Sequence, residues 1–214
     1  MSRLIDRGLE QLSKLLFKMG DLAEKAVSLS FDCYLEGRDV NQRVQILSET
    51  LVLLNEEVEK KAIELIARYQ PVAHDLRTII SYIKIAYDLS RVGRYAWDIT
   101  FVYKRLNVKK EECKFPRIQP EKACKKVLEM VRTSMKAVKK HNVELAKKLA
   151  VMENDVDEMY YGYIDKLLEQ IPATTKCIIS TLLFIRHLER IADHACYIGE
   201  SVIYLTKGER ISLR

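Results

Sequence analysis

Apolar residues recur at three- and four-residue steps along nearly the whole chain, and each run of that period predicts an amphipathic helix. Six such runs stand out, with no convincing strand between them. The first spans about Ser2 to Glu36, carries Leu12, Leu16, Met19, Ala23, Ala26, Ser30 and Cys33 on one stripe, and has Gly37 as its stop. The second spans about Asp39 to Tyr69, with Leu47, Leu51, Leu54, Val58 and Leu65 inward. Gln70-Pro71 ends it, because the residue before a proline resists the helical conformation. The third continues from about Val72 to Leu106 and aligns Ile79, Tyr82, Ala86, Leu89, Gly93 and Trp97. From Asn107 to Pro120 two prolines and a charge cluster interrupt the pattern and predict a linker. The fourth helix covers about Glu121 to Lys140, with Cys124, Leu128, Val131, Met135 and Val138 inward. The fifth covers about Asn142 to Gln170 and stops at Ile171-Pro172. The sixth takes up the rest of the chain, with Gly208 near its end.

The two halves echo each other. Gln70-Pro71-Val72-Ala73 lines up with Gln170-Ile171-Pro172-Ala173, and the stretch from Leu89 to Ala96 lines up with Leu188 to Ala195. The expected architecture is all-α: two tandem three-helix bundles of about a hundred residues each, a usual domain size. Residues 1–106 form the first, 107–120 the linker and 121–214 the second. Short connections make neighbouring helices antiparallel.

Composition narrows the class without naming a function. The 214 residues include 7 Gly and 4 Pro, too few for an all-β chain rich in turns. Apolar residues make up 48% and charged residues 31%, the balance of a soluble globular protein. No apolar run reaches the length of a membrane span, and the opening MSRLIDRGLEQL has no signal-peptide pattern. The 5 cysteines, at positions 33, 113, 124, 177 and 196, form no CxxC pair and are expected as reduced thiols, with Cys177 and Cys196 as core filler. Much of the net charge of +6 gathers on the fourth helix, at Lys122, Lys125, Lys126, Arg132, Lys136, Lys139 and Lys140. This face is either simply solvated or a patch for anionic lipid or an acidic partner. Nucleic acid is poorly supported, since no aromatic residues interleave and no recognition motif is present.

Candidate chemistry lies in LERIADHACYIGE, Leu188 to Glu200. The stripe Leu182, Ile185, Glu189, Ala192, Cys196, Gly199 and Ile203 faces a core, yet one member is a carboxylate. Asp193 stands one turn beyond Glu189, and Glu200 two turns further, along the edge of the same stripe. A carboxylate on a seam must be neutralised, paired or metal-bound. On the fifth helix Glu153 and Asp157 also fall on an inward stripe, so four carboxylates converge if helices five and six are adjacent. An oxygen-rich set of this kind suits Mg²⁺, Ca²⁺ or Mn²⁺, and iron with His194 nearby; zinc usually takes more His or Cys. The alternative is structural: Arg186 precedes Glu189 by three residues and Arg190 precedes Asp193 by three, so both acids can form ordinary helical ion pairs. His187 and His194, seven apart, are more often packing residues than ligands, and Trp97 with the Tyr160, Tyr161, Tyr163 cluster suits core and interface. No Glu-x-x-His pair, nucleophile elbow, P-loop or dinucleotide fingerprint occurs, so a carboxylate-metal enzyme is the weaker alternative and a non-enzymatic chain is expected.

The strings QPVAHDLR at Gln70 to Arg77 and LERIADHA at Leu188 to Ala195, with Lys18-Met19-Gly20 in the first helix, resemble the PhoU family of phosphate-signalling regulators. The resemblance covers nearly the whole chain and includes the doubled three-helix architecture. It implies a cytoplasmic protein, peripheral to the membrane at most, that works with a phosphate ABC transporter and a sensor kinase and holds starvation signalling and uptake down when phosphate is plentiful. It also implies metal binding in some members through E-x-x-x-D on the third helix of each repeat. Glu189 and Asp193 match that motif in the second repeat, with Glu153, Asp157, His194 and Glu200 as further candidate ligands. In the first repeat Ser90 and Arg94 replace the two acids. A guanidinium there would repel a cation and is expected to pair with Asp98 four residues on. One metal-capable repeat at most is therefore expected, with a metal-free helical adaptor as the rival reading, and two copies are expected to associate as a homodimer.

Overall fold

The computed structural model describes residues 4–107, 120–168 and 176–214. Within these residues the chain forms six helices: α1 (Leu4–Glu36), α2 (Asn41–Tyr69), α3 (Ala73–Leu106), α4 (Pro120–Lys140), α5 (Val143–Leu168) and α6 (Lys176–Lys207). No strand occurs among the described residues. The hydrophobic period therefore places each helix correctly to within a few residues. Most of the predicted linker and the Ile171-Pro172 break lie outside the described residues.

The ends follow from local chemistry. Gly37 closes α1 with φ 74° and donates its N–H to Cys33 O at 3.0 Å. Gln70 closes α2 in the same left-handed region, with φ 46° and its N–H 3.0 Å from Ile66 O, before Pro71 forbids further helix. Pro120 opens α4, where its missing N–H would have had no partner. Asn142 caps α5, its Oδ1 accepting the Leu145 N–H at 2.9 Å.

The inward stripes pack as predicted: Leu12, Leu16, Met19, Ala23 and Ala26 of α1 are all at 0% exposure. Each fully buried Leu or Met contributes about 1.5–3 kcal/mol. One apolar cluster runs through all six helices, because the two halves of the repeat are packed on each other, α3 along α6 and α1 along α4. Across this joint Tyr34 of α1 stacks on Phe184 of α6, with centroids 3.6 Å apart and planes 2° apart, and its hydroxyl bonds Thr181 at 2.9 Å. Gly20 lets α1 approach α4, since an added Cβ would stand 2.6 Å from Met135 Cε.

Two expectations change. The sixth helix does not take up the rest of the chain: Gly208 turns it, with φ 78°, and residues 209–214 fold back non-helically. Nor are all five cysteines reduced. Cys33, Cys124 and Cys196 are free thiols, but Cys177 is disulfide-bonded, a pairing that cysteine spacing alone does not reveal. Of the basic residues on α4, Arg132 reaches Glu24 of α1 at 2.7 Å and Lys126 reaches Asp155 of α5 at 2.6 Å. Lys122, Lys125, Lys136 and Lys140 remain on the exposed face.

Gly37 and Gln70 solve one backbone problem with different residues, and only glycine adopts that geometry without a Cβ clash. Gln70→Gly is expected to raise the thermal midpoint and Gly37→Ala to lower it. Each change corresponds to about 1 kcal/mol, or roughly 2–4 °C in a chain of this size. Paired thermal melts by circular dichroism check both signs.

Candidate functional site

Helices α5 and α6 lie side by side, and their facing stripes bring Glu153, Asp157, Glu189 and Asp193 into one electrostatic cluster. Three of the four are deeply buried: Asp193 is 0% exposed, Glu153 3% and Glu189 5%. Asp157 is half-buried. Three guanidiniums answer them. Arg186 Nη1 is 2.7 Å from Glu189 Oε1, and Arg190 Nη1 is 3.2 Å from Asp193 Oδ2, with its Nε 3.7 Å from Glu189 Oε2. Arg214, from the returning segment, donates from Nε to Glu153 Oε1 at 3.2 Å and places Nη2 3.2 Å from Asp193 Oδ1.

The pairing is incomplete. Glu189 Oε2, Asp193 Oδ1 and Asp157 Oδ1 are buried oxygens without a hydrogen-bond partner among the described residues. Asp193 Oδ1 is within ion-pair distance of Arg214, but the alignment makes no hydrogen bond. Burial pushes the carboxyls of Asp193, Glu189 and Glu153 above the ordinary range. Repulsion from Asp193 adds to the rise at Glu189, and repulsion from Asp157 adds to it at Glu153. The arginines offset these effects only in part.

The other candidates turn elsewhere. His194 Nδ1 lies 2.8 Å from Asp88 Oδ1 on α3. Burial raises the Asp88 carboxyl, and the His194 bond counters that. Tyr95 stands between the two histidines, its centroid 5.6 Å from His194 and 5.9 Å from His187. Glu200 accepts the Leu213 N–H at 2.9 Å and thereby anchors the returning segment. Cys196 Sγ points to Leu149 O at 3.6 Å. Sequence pattern missed both Asp88 and Arg214. Asp88 lies in an otherwise apolar stretch of α3, and Arg214 lies beyond the last periodic segment.

In the first repeat the corresponding positions are closed. Ser90 bonds its own helix at Tyr87 O, 2.7 Å away, and Arg94 Nε pairs with Asp98 Oδ1 at 3.2 Å while its guanidinium covers Trp97 at 4.4 Å.

The second-repeat donors are oxygens, the set preferred by hard cations, and three of those oxygens lack a hydrogen-bond partner, so the residues fit a divalent ion in kind. As arranged, with the guanidiniums between them, no three His, Cys, Asp or Glu side chains among the described residues converge closely enough to ligate one ion. No helix among the described residues is long and apolar enough to cross a membrane.

Comparison with known proteins agrees with the repeat. The PhoU domain profile matches twice, at residues 16–100 and 121–202. A relative from Clostridium acetobutylicum, named a phosphate-specific transport system accessory protein PhoU homolog, is 34% identical over 220 residues, spanning 99% of this chain and 98% of its own. The crystal structure of PhoU from Pseudomonas aeruginosa superposes with a TM-score of 0.85 at 28% identity, covering 95% of this chain and 99% of that one. A phosphate transport system regulatory protein PhoU from Streptococcus pneumoniae shares the fold, with a TM-score of 0.86 at 23% identity.

The raised carboxyls make a pH prediction. Each group holds its proton more tightly folded than unfolded, so its ionisation opposes folding. That opposition is absent below the ordinary carboxylate range and grows as pH rises through the raised values. The double variant Glu189→Gln with Asp193→Asn is therefore expected to melt about 2–4 °C above the parent at pH 7, and the gap should close toward pH 4. A variant less stable than the parent at pH 7 would mean that the arginine pairs outweigh the cost of burial.

Proposed function

The chain belongs to the PhoU family, and from that premise we propose that it is a cytoplasmic, non-enzymatic regulator of phosphate uptake and phosphate-starvation signalling. It acts by docking its helical faces on components of a phosphate transporter or of the associated sensor kinase and biasing their conformations. The observation that carries this reading is the family match over both halves of the chain. Relatives covering almost all of it are named accessory proteins of the phosphate-specific transport system.

The second repeat is proposed to hold a divalent or iron-type cation among Glu153, Asp157, Glu189 and Asp193. Support comes from the unpartnered buried oxygens and from an excess of one carboxylate over the surrounding guanidiniums. Such an ion would supply the positive charge that lets these acids stay ionised out of water. Asp193 and Glu189 hold their places through Arg190 and Arg186 on the same helix, while Glu153 projects from α5. His194 gives its Nδ1 to Asp88 and keeps Nε2, and Glu200 accepts a bond from the returning segment, so both are secondary candidates beside the four carboxylates. A metal-free adaptor is the second reading, favoured by the three guanidiniums already in the seam.

Elemental analysis of protein purified without chelators is expected to find metal that disappears in Glu189→Ala with Asp193→Ala. Metal retained by that double variant would place the ion elsewhere, and none in the parent would favour the adaptor. Affinity capture from membranes of the native host is expected to recover a phosphate transporter component or a signalling kinase. Recovery of neither would count against the docking reading.

A further inference from the structure

Helix α2 is an edge helix, packed on α1 and α3. Its outer stripe, Glu49, Val52, Glu56, Glu59 and Ile63, recurs at three- and four-residue steps. It runs beside the α3 stripe Ile83, Tyr87, Arg94, Trp97 and Phe101. Gly93 draws the two helices together beneath this seam, since an added Cβ would stand 3.6 Å from Ser48 Cα. Large apolar groups stay in water along it: Val52 is 46% exposed, Ile63 65%, Tyr87 52% and Phe101 45%. A cluster of that kind marks an interaction site rather than ordinary surface. At one end Trp97 and Phe101 lie with centroids 5.9 Å apart, and the Arg94 guanidinium covers the indole at 4.4 Å. At the other end Glu59, Ile83, Lys84 and Tyr87 line an open cavity of about 480 Å³ that continues onto Tyr197 of α6.

Charge is divided between the two edges. The α2 edge carries Glu49, Glu56 and Glu59, and the α3 edge carries Lys84, Arg91 and Arg94. No ion pair joins the edges among the described residues. Arg94 turns to Asp98 of its own helix at 3.2 Å, and Arg91 donates to the Tyr95 hydroxyl at 2.8 Å. Glu49 and Glu59 take bonds from Gln45 and Asn55, also on their own helix. The second repeat shows what a seam of this fold receives. Between α5 and α6, residues 209–214 fold back, seat Leu213 against Gly199 and set Arg214 between Glu153 and Asp193. Among the described residues nothing covers the α2–α3 seam in this way.

We propose that the α2–α3 seam docks an amphipathic helix of a partner protein. Its apolar stripe lies on Val52, Tyr87, Trp97 and Phe101, its acids meet the α3 edge and its bases meet the α2 edge. This rests on the reading that the chain acts by docking on other proteins. Shape favours a helix: the two stripes run together for about 27 Å, from Ile83 to Phe101, and form a groove read by anchors at helical spacing. Charge fixes the direction, because the same helix turned end for end would lay its acids over Glu49 and Glu56. The acidic α2 edge also disfavours an anionic membrane surface, which would meet like charge there.

Trp97 is the single tryptophan of the chain, so its emission reads the seam directly. The probe is a tryptophan-free helical peptide of about 18 residues, with leucines at helical steps, glutamates along one edge and lysines along the other. Two control peptides carry glutamate on both edges or lysine on both edges. The mixed peptide is expected to shift Trp97 emission saturably and to bind at least about tenfold more tightly than either control. Val52→Ser with Phe101→Ser should weaken it by about tenfold or more, with an unchanged melt because both side chains are exposed. Lys84→Glu with Arg94→Glu makes both edges of the seam acidic and should transfer the preference to the lysine peptide. Equal binding of all three peptides, or of none, would overturn the proposal. So would anionic phosphatidylglycerol vesicles that shift the emission where the mixed peptide does not. An emission shift that follows the concentration of the chain alone would assign the seam to a second copy. In capture from host membranes, a transporter or kinase component held equally by the parent and by Val52→Ser with Phe101→Ser would overturn the seam and leave the docking reading standing. Recovery of neither component by the parent, with peptide selectivity intact, would remove the docking reading and leave the seam.

Discussion

Asp193 sits on a helix seam at 0% exposure, and an ionised carboxylate removed from water must have its charge answered locally. The elements around it are arranged to do so. Arg190 reaches it from one turn back on α6, and Arg214 reaches it from a segment that must first reverse direction at Gly208. Gly199 leaves room for Leu213 on the way, and Glu200 holds that residue's N–H. Each of these features is unremarkable in isolation. Together they bring a positive charge to a position that α6 alone cannot fill twice.

The first repeat meets the same geometrical problem with a different solution. Ser90 and Arg94 remove the two acids, and Arg94 is satisfied outward by Asp98 and the face of Trp97. Yet α3 is not free of buried charge. Asp88, two residues before Ser90, projects into the joint between the repeats and takes the ring of His194 from α6. The joint is therefore specified by a buried polar contact within a largely apolar interface, beside the Tyr34–Thr181 bond and the Arg132–Glu24 pair. Misregister of α3 on α6 by a turn would strand a buried carboxylate, at a cost of several kcal/mol. The divergence of the repeats thus gave them separate features: the first supplies the buried carboxyl that bonds His194 across the joint, and the second keeps the paired acids.

The helices, their inward stripes and the doubled layout were legible because they depend on local period and turn chemistry, which the sequence carries residue by residue. Leu12, Leu16 and Met19 could be placed in the core from spacing alone. Glu189 and Asp193 were legible for a related reason, as acids where a stripe demanded apolar groups. Arg94 was legible as the partner of Asp98 because both lie on one helix. The remainder depends on contacts between segments far apart in sequence. His194 looked like a neighbour of the acids, being next to Asp193, but one residue is a rotation of about 100° on a helix, enough to aim it at α3 instead. Glu200 was grouped with the ligands for its place on the stripe, and only the return of residues 209–214 shows what it holds. The disulfide at Cys177 was not visible from cysteine spacing alone.

A seam in which four carboxylates face three guanidiniums is poised differently from one closed by apolar packing. Replacing buried ion pairs with hydrophobic residues of similar volume is often neutral or stabilising, so the acids of α5 and α6 are not needed to hold the bundle together. Burial lifts the carboxyls of Glu153, Glu189 and Asp193 rather than depressing them, which means that their charged forms work against the fold. The core stripes around them, with Ala192, Cys196 and Leu188 fully buried, supply the stability that tolerates this. The arrangement also separates the two properties physically: the apolar stripes set whether the bundle stands, and the acids with their guanidiniums set the charge of the seam.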